Sequence, residues 1–436
     1  MAAGRRIPTG RWATAGIGLV WVAGLFRILQ HRLFISHDTL INYAHVWYVS
    51  DRLWHRHGFP LHMPSLSHGR ALAFPYAFVP WTAAAILRPL AGDWIVTLWL
   101  VVGAVLVIAA TFWAFPELRG GWWAAAVLLN PALVVAPLIG QLPFLWGSAF
   151  LLAAVGCWRR DRRWAATAFV ALAQATHPAV VAPIAAAVVV GRWLWEPDRR
   201  ALARHYALSL LPAVPAVVMV WRSPVFTESS TWVKTVEFVE TVAPRSFIVA
   251  VPVALALAAR RRPRDTTAIG ACAVLLVGIA VFWGPQGLPS SWRGLSRNAS
   301  PAMLPFLASA RFEPGRTYRL LRIGDGKVGL YQLLRAGGRS DAEFFPESVL
   351  SRSFGSPEAY SRVLRSRRVD SVMLWKSYVR ASGTDEAALL ASMAGHPPPT
   401  CDGPTVCVDL VGRTAQYTLY RIGRSGPRQA LSAPST

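Results

Sequence analysis

The chain has 436 residues, of which 54% are hydrophobic and only 15% charged, with a formal net charge of +23. A soluble domain carries about a quarter charged residues, so this balance excludes an ordinary soluble protein. The positive charge does not form a nucleic-acid surface either: arginines cluster at the ends of apolar runs, as in Arg159, Arg160, Arg162 and Arg163, or Arg260, Arg261, Arg262 and Arg264. That is the pattern of cytoplasmic loops between membrane spans.

In chain order, runs of about 20 apolar residues long enough to cross the hydrocarbon are predicted at 13–35, 72–90, 93–115, 141–157, 206–221, 246–259 and 266–284. Two further apolar stretches are interrupted, 121–139 at Asn130-Pro131 and 164–193 at His177-Pro178. Their legs, roughly 15–24 Å long, read as short hairpins that return the chain to the side it left. Arg5, Arg6 and Arg11 place the N-terminus in the cytoplasm, the first span delivers Asp38 outside, and Arg88 marks an inner turn between the next two. Continuing this way, the outer loop falls at 222–245, and everything after about residue 285 is extracytoplasmic. The first span carries no cleavage site and is expected to be retained.

The tail reads as a small α/β domain over 286–424 behind the membrane domain 1–285, with a disordered end at 425–436. Its predicted strands are YRLLRIG and VDSVMLW, with VCVDLV and YTLYRI as an edge pair. Its predicted helices are DEAALLASMAG and SPEAYSRVLRS, the second with Ser356 as N-cap and Pro357 at the first helical position. Cys157 and Cys272 lie in apolar helices as buried thiols, whereas Cys401 and Cys407 flank a short loop suited to a disulfide in an oxidising compartment.

Asp38 opens the polar loop behind the first span, and a carboxylate at that depth is a functional candidate by default. Aspartate is also a preferred helix N-cap, and the residues after it read as an interfacial amphipathic helix with Leu40, Trp47 and Trp54 on the headgroups. His45, two helical turns on, shares the face of Asp38. Six of the ten histidines fall in this loop, yet their spacing matches no zinc pattern, so neither metal nor other cofactor is expected. Gln141, in IGQLPFLWG, and His177, in ALAQATHPAVVAP, stand at breaks where an outer cavity can dip into the membrane.

These features resemble the GT-C class of membrane glycosyltransferases. The matching residues are Asp38 at the outer end of the first helix, the loop GFPLHMPSLSHG…FPY, the segment from Gly140 to Trp146, the ATHP segment before a short helix, and an outer tail domain. The resemblance implies an α-helical polytopic membrane protein with about nine to eleven membrane helices and a small C-terminal α/β domain outside. It implies a multi-pass protein of the plasma membrane that takes a polyprenyl-phosphate sugar as donor and a cell-envelope glycolipid or glycan as acceptor. Asp38 would then be the general base on the acceptor hydroxyl. His68, Arg70 and Arg222 would meet the lipid phosphate, and His45, Gln141 and His177 would line the substrate cavity. Asp38 is flanked by His37 and Thr39, without the adjacent second acid that many members carry. A non-catalytic scaffold or lipid-binding protein of envelope assembly is therefore the alternative reading.

Overall fold

The computed structural model describes residues 9–34, 39–55, 58–69, 71–74, 76–178, 180–212, 214, 231–261, 264–297, 312–321, 327–341, 353–375, 385–394, 405–414 and 417–423. Packing divides the chain into two compact units: Met1–His62 with Leu72–Pro305, and Met63–Ala71 with Phe306–Thr436.

The first unit is helical: α1 (Thr9–Leu29), α2 (Thr39–His55), α3 (Phe78–Ala91), α4 (Trp94–Ala114), α5 (Gly121–Leu128), α6 (Pro131–Leu138), α7 (Leu142–Trp158), α8 (Arg163–Thr176), α9 (Val181–Trp193), α10 (Arg199–Leu210), α11 (Thr231–Arg261) and α12 (Asp265–Arg297). Among the described residues, α1, α4 and Val242–Arg261 of α11 are long and apolar enough to cross a membrane, and α5 with α6 makes a fourth, bent candidate. Helices α3, α7 and α9 and residues Asp265–Val281 of α12 are apolar but shorter. Large apolar side chains such as Leu19, Phe26, Val274 and Val281 point out of the unit. In water they would form a patch far beyond what a soluble monomer tolerates; against lipid tails they are solvated.

Contacts between helix ends sort them into two groups. Thr14 donates to the Gly121 carbonyl at 2.7 Å, and the Arg159 and Arg260 guanidiniums both meet Glu117. The N-terminal end of α1 therefore shares one end of the unit with the α4–α5 turn, the α7–α8 turn and the end of α11. Trp94 Nε1 donates to the Leu29 carbonyl at the other end.

Two expectations change with this sorting. The Arg88 turn, closed by an Arg88–Asp93 ion pair of 2.9 Å, belongs to the end opposite the N-terminus. The alternation of ends predicted for the first three spans does not hold there, because α3 is only 14 residues long and is not among the helices long enough to cross. The 121–139 pair is not a hairpin: its legs bend by only 43°, so the chain carries on across. Asn130 makes the break without orphaning backbone, since its Oδ1 caps Ala132 N at 3.1 Å and Pro131 takes the first helical position. These two errors of parity cancel, which is why the basic clusters still fall together. The 164–193 pair does fold back, as Arg163 at its start meets Glu196 beyond its end at 3.6 Å.

The helix α2 is a third correction. Every residue from Thr39 to Val46 is buried, Trp47 is only half-exposed, and Trp54 alone of the three proposed headgroup contacts is well exposed. It packs on α3 and α4 instead of lying on an interface. Residues 231–245, read as outer loop, belong to α11, and α12 continues past 284 to Arg297.

The second unit holds β1 (Thr317–Leu321), α13 (Lys327–Arg335), β2 (Arg339–Ser340), α14 (Pro357–Ser366), β3 (Ser371–Trp375), α15 (Glu386–Ala394), β4 (Cys407–Arg413) and β5 (Tyr417–Gly423). The sheet order is β2-β1-β3-β5-β4, with β1 parallel to both β2 and β3 and the β3–β5–β4 side antiparallel. Ser356 caps α14 through Ala359 N at 3.2 Å, as its sequence indicates. The segment Met63–Ala71 joins this sheet at the β2 edge: Leu66 bridges Ser340 in parallel, and Ser340 N donates to the Ser65 carbonyl at 2.8 Å. Cys407 is disulfide-bonded, Cys157 and Cys272 are free, and Cys401 lies outside the described residues.

Buried beneath β1 is an ion cluster with no counterpart in the sequence reading. Arg319 and its partners Asp341 and Glu386 are wholly buried as side chains. Arg319 donates to Glu386 through Nε and Nη2 at 3.1 and 3.0 Å and to Asp341 through Nη1 at 2.9 Å. The Tyr360 hydroxyl donates to Glu386 at 2.8 Å. Burial opposes the guanidinium charge, but the two carboxylates more than offset it and hold Arg319 firmly protonated.

Candidate functional site

Asp38 lies outside the described residues, as do Arg70 and Arg222. Both flanks of the Asp38 segment are nonetheless pinned. Phe34 is buried and its N–H donates to the Tyr43 hydroxyl at 2.9 Å, which in turn pairs with Thr97 on α4 at 2.5 Å. Thr39 is buried where α2 begins.

From there α2 carries polar side chains into an apolar interior. Asn42 links two elements: its Nδ2 donates to the Gly140 carbonyl at 3.1 Å and its Oδ1 accepts from Trp81 Nε1 at 2.8 Å. His45 lies one turn further, with Nδ1 at 2.7 Å from the Ala73 carbonyl and its ring stacked on Trp81 at 4.3 Å. A carbonyl only accepts, so Nδ1 carries the proton. Burial drives the His45 pKa down to about 3, against the opposing pull of the Ala73 carbonyl; the imidazole is neutral at ordinary pH.

The aromatic contacts continue outward from this pair. Tyr76 tilts against Trp81 at 5.0 Å and stacks on His177 at 5.4 Å. Ala77 N donates to the Thr176 carbonyl at 2.6 Å, tying the start of α3 to the break before His177. On the other side of Asn42, Gln141 follows Gly140, and its amide oxygen accepts from the guanidinium of Arg245 on α11.

The structure thus brings His45, Gln141 and His177 onto one polar spine running through Asn42, Trp81 and Tyr76. Polar and ionisable groups at such positions are expensive among apolar helices unless they are paired, as these are. His68 falls in the second unit. It sits in a short 3-10 turn with φ 54°, between Ser67 at 46° and Gly69 at 82°. Two non-glycine residues in the left-handed region are a local strain of about 1–2 kcal/mol each.

Sequence reasoning missed Asn42, Tyr76, Trp81 and Arg245. Asn42 had a signal, being polar one turn before His45 in the otherwise apolar TLINYAHVWYV. Arg245 had one too, as a lone cation at the start of an apolar run, but it was assigned to the preceding loop. Among the described residues no group of three or more His, Cys, Asp or Glu side chains is arranged to hold a metal.

No protein-family model and no curated protein sequence matches this chain. Among solved structures it is similar to the crystal structure of ArnT from Cupriavidus metallidurans bound to undecaprenyl phosphate, at 14% sequence identity and a TM-score of 0.48, over 95% of this chain and 99% of that one.

Proposed function

We propose that this chain is a multi-pass membrane glycosyltransferase that moves a sugar from a polyprenyl-phosphate donor to a hydroxyl of a cell-envelope glycolipid or glycan. The observation that carries the reading is the polar spine of Asn42, His45, Trp81, Tyr76, His177 and Gln141, reached by the helix that starts directly after Asp38. Its core, Asn42, His45, Trp81 and Gln141, is buried, and in this reading it forms the fixed polar wall behind the substrate site. The grouping of Arg159, Arg160, Arg163 and Arg260 at the end of the unit shared with the start of α1 supports a cytoplasmic N-terminus and an outer-face site.

In this mechanism the Asp38 carboxylate takes the proton of the acceptor hydroxyl as its oxygen bonds to the anomeric carbon of the donor. The bond from that carbon to the phosphate oxygen breaks, and the polyprenyl phosphate departs with the electron pair. Arg70, Arg222 and His68 are the candidate partners for the growing phosphate charge, and Arg245, held beside Gln141, is a fourth. His45 stays neutral and positions Trp81 and the backbone at Ala73.

The test is Asp38→Asn in proteoliposomes loaded with short-chain polyprenyl-phosphate sugars. Asparagine caps a helix about as well as aspartate but takes no proton. Transfer should fall by about 10²–10⁴-fold while the melting temperature holds. Undiminished transfer removes the mechanism, and a parent protein without transfer on any donor, recovered with a partner enzyme, favours the scaffold reading.

A further inference from the structure

The second unit carries an open cavity of about 320 Å³ that the proposed transferase reaction does not use. Its lining combines apolar side chains, Leu364, Val369, Val406 and Ile422, with Arg365, Arg368 and Gly423. The volume is at the small end of sites for compact ligands, about 300–1,000 Å³.

The walls are fixed before any ligand arrives. Val406 N donates to the buried Ser361 hydroxyl at 3.1 Å, and Arg365 Nη2 donates to the Thr405 carbonyl at 2.9 Å, tethering the end of α14 to the start of β4. Val369 N closes onto the Leu364 carbonyl at 2.9 Å, which forces Arg368 to φ 48° at the turn after the helix. Glycine is the usual residue there because it enters the left-handed region without penalty. Arginine in that place strains the backbone and sets a cation at the cavity.

Charge density points the same way. The last turns of α14 and the turn after it read SRVLRSRR, with Arg362, Arg365, Arg367 and Arg368 and no acid. The helix dipole favours cations in the last turn, but it acts on position along the helix and does not require an arginine in the strained place. Guanidiniums beside apolar side chains match an oxyanion attached to a small hydrocarbon, and the planar fork suits phosphate.

We propose that this cavity binds a phosphate monoester on a short apolar stem, the phosphate held by Arg365 and Arg368 and the stem resting on Leu364, Val369, Val406 and Ile422. The site stands independently of the transferase reading. The test is calorimetric titration of the full-length protein in non-ionic detergent with hexyl phosphate, beside inorganic phosphate and hexanol.

Hexyl phosphate is expected to bind at least about tenfold tighter than either fragment, since each satisfies only half of the site. Arg365→Gln with Arg368→Gln should weaken it about tenfold or more, whereas Arg362→Gln, exposed on the same helix but off the cavity, should leave it unchanged. Arg368→Gly guards against misfolding: glycine suits the left-handed turn, so thermal stability should hold or rise while affinity falls. The proposal is overturned by unchanged affinity in the double variant, by an equal loss in Arg362→Gln, or by inorganic phosphate binding as tightly as the ester.

Discussion

Removing one acid from the buried cluster of the second unit should destabilise it far more than removing the whole cluster. At about 3 Å and an effective dielectric of about 20, each Arg319–carboxylate contact is worth roughly 5 kcal/mol of attraction. Desolvation of the ions offsets most of that, by several kcal/mol each, so the intact cluster contributes little net stability. Glu386→Ala changes this balance. It removes both bonds to Nε and Nη2 of Arg319 and the acceptor of the Tyr360 hydroxyl. What remains is a buried guanidinium with the Asp341 contact at 2.9 Å and a buried hydroxyl stripped of its acceptor. The expected loss is about 3–5 kcal/mol, which at roughly 2–4 °C per kcal/mol lowers the melting temperature by about 6 °C or more. Near-ultraviolet circular dichroism of the intact chain in detergent, heated in steps, reads it directly. The fourfold replacement Arg319→Met, Asp341→Leu, Glu386→Leu and Tyr360→Phe, which also removes the hydroxyl that Glu386 accepts from, should melt close to the parent or above it. Refutation takes either of two forms: Glu386→Ala melting within about 2 °C of the parent, or the fourfold variant falling as far as the single one.

Two further outcomes follow from the first unit. Asn42→Leu leaves the Trp81 indole N–H and the Gly140 carbonyl without their bonds; at about 1–3 kcal/mol each, a loss of about 2 kcal/mol or more is expected in thermal melts, and Asn42→Asp, which still accepts from Trp81, should lose less. The folded pKa of His45 lies near 3 because of burial, below the unfolded value of about 6.5. The fold therefore favours the neutral ring, and that contribution is lost progressively as pH falls from about 6.5 towards 3. His45→Gln should flatten this acid branch of the stability curve, and an unchanged branch counts against the assignment.

What was legible in the sequence was whatever depends on local composition. Hydropathy marks α1, α4 and the apolar part of α11 because lipid solvates a helix residue by residue. Asn130-Pro131 and His177-Pro178 mark real breaks because proline removes a donor wherever it stands. Ser356-Pro357 marks the start of α14 for the same local reason; Gln141 and His177 stood out as polar residues at breaks in apolar runs, and His45 by its helical spacing from Asp38.

Only the tertiary structure decided where those pieces go. Whether a broken pair folds back or carries on rests on an angle, 43° between α5 and α6, to which hydropathy is blind. The burial of α2 follows from α3 and α4 covering it, and the sequence around Trp47 reads equally well as a surface helix. Arg319 looks like an exposed residue in a strand because the acids that neutralise it are 22 and 67 positions away. The spine joining Asn42 to Trp81, and Gln141 to Arg245 across 104 positions, has the same origin. Composition fixes what each segment can tolerate as solvent, while partnership between distant polar groups exists only once the chain has closed around them.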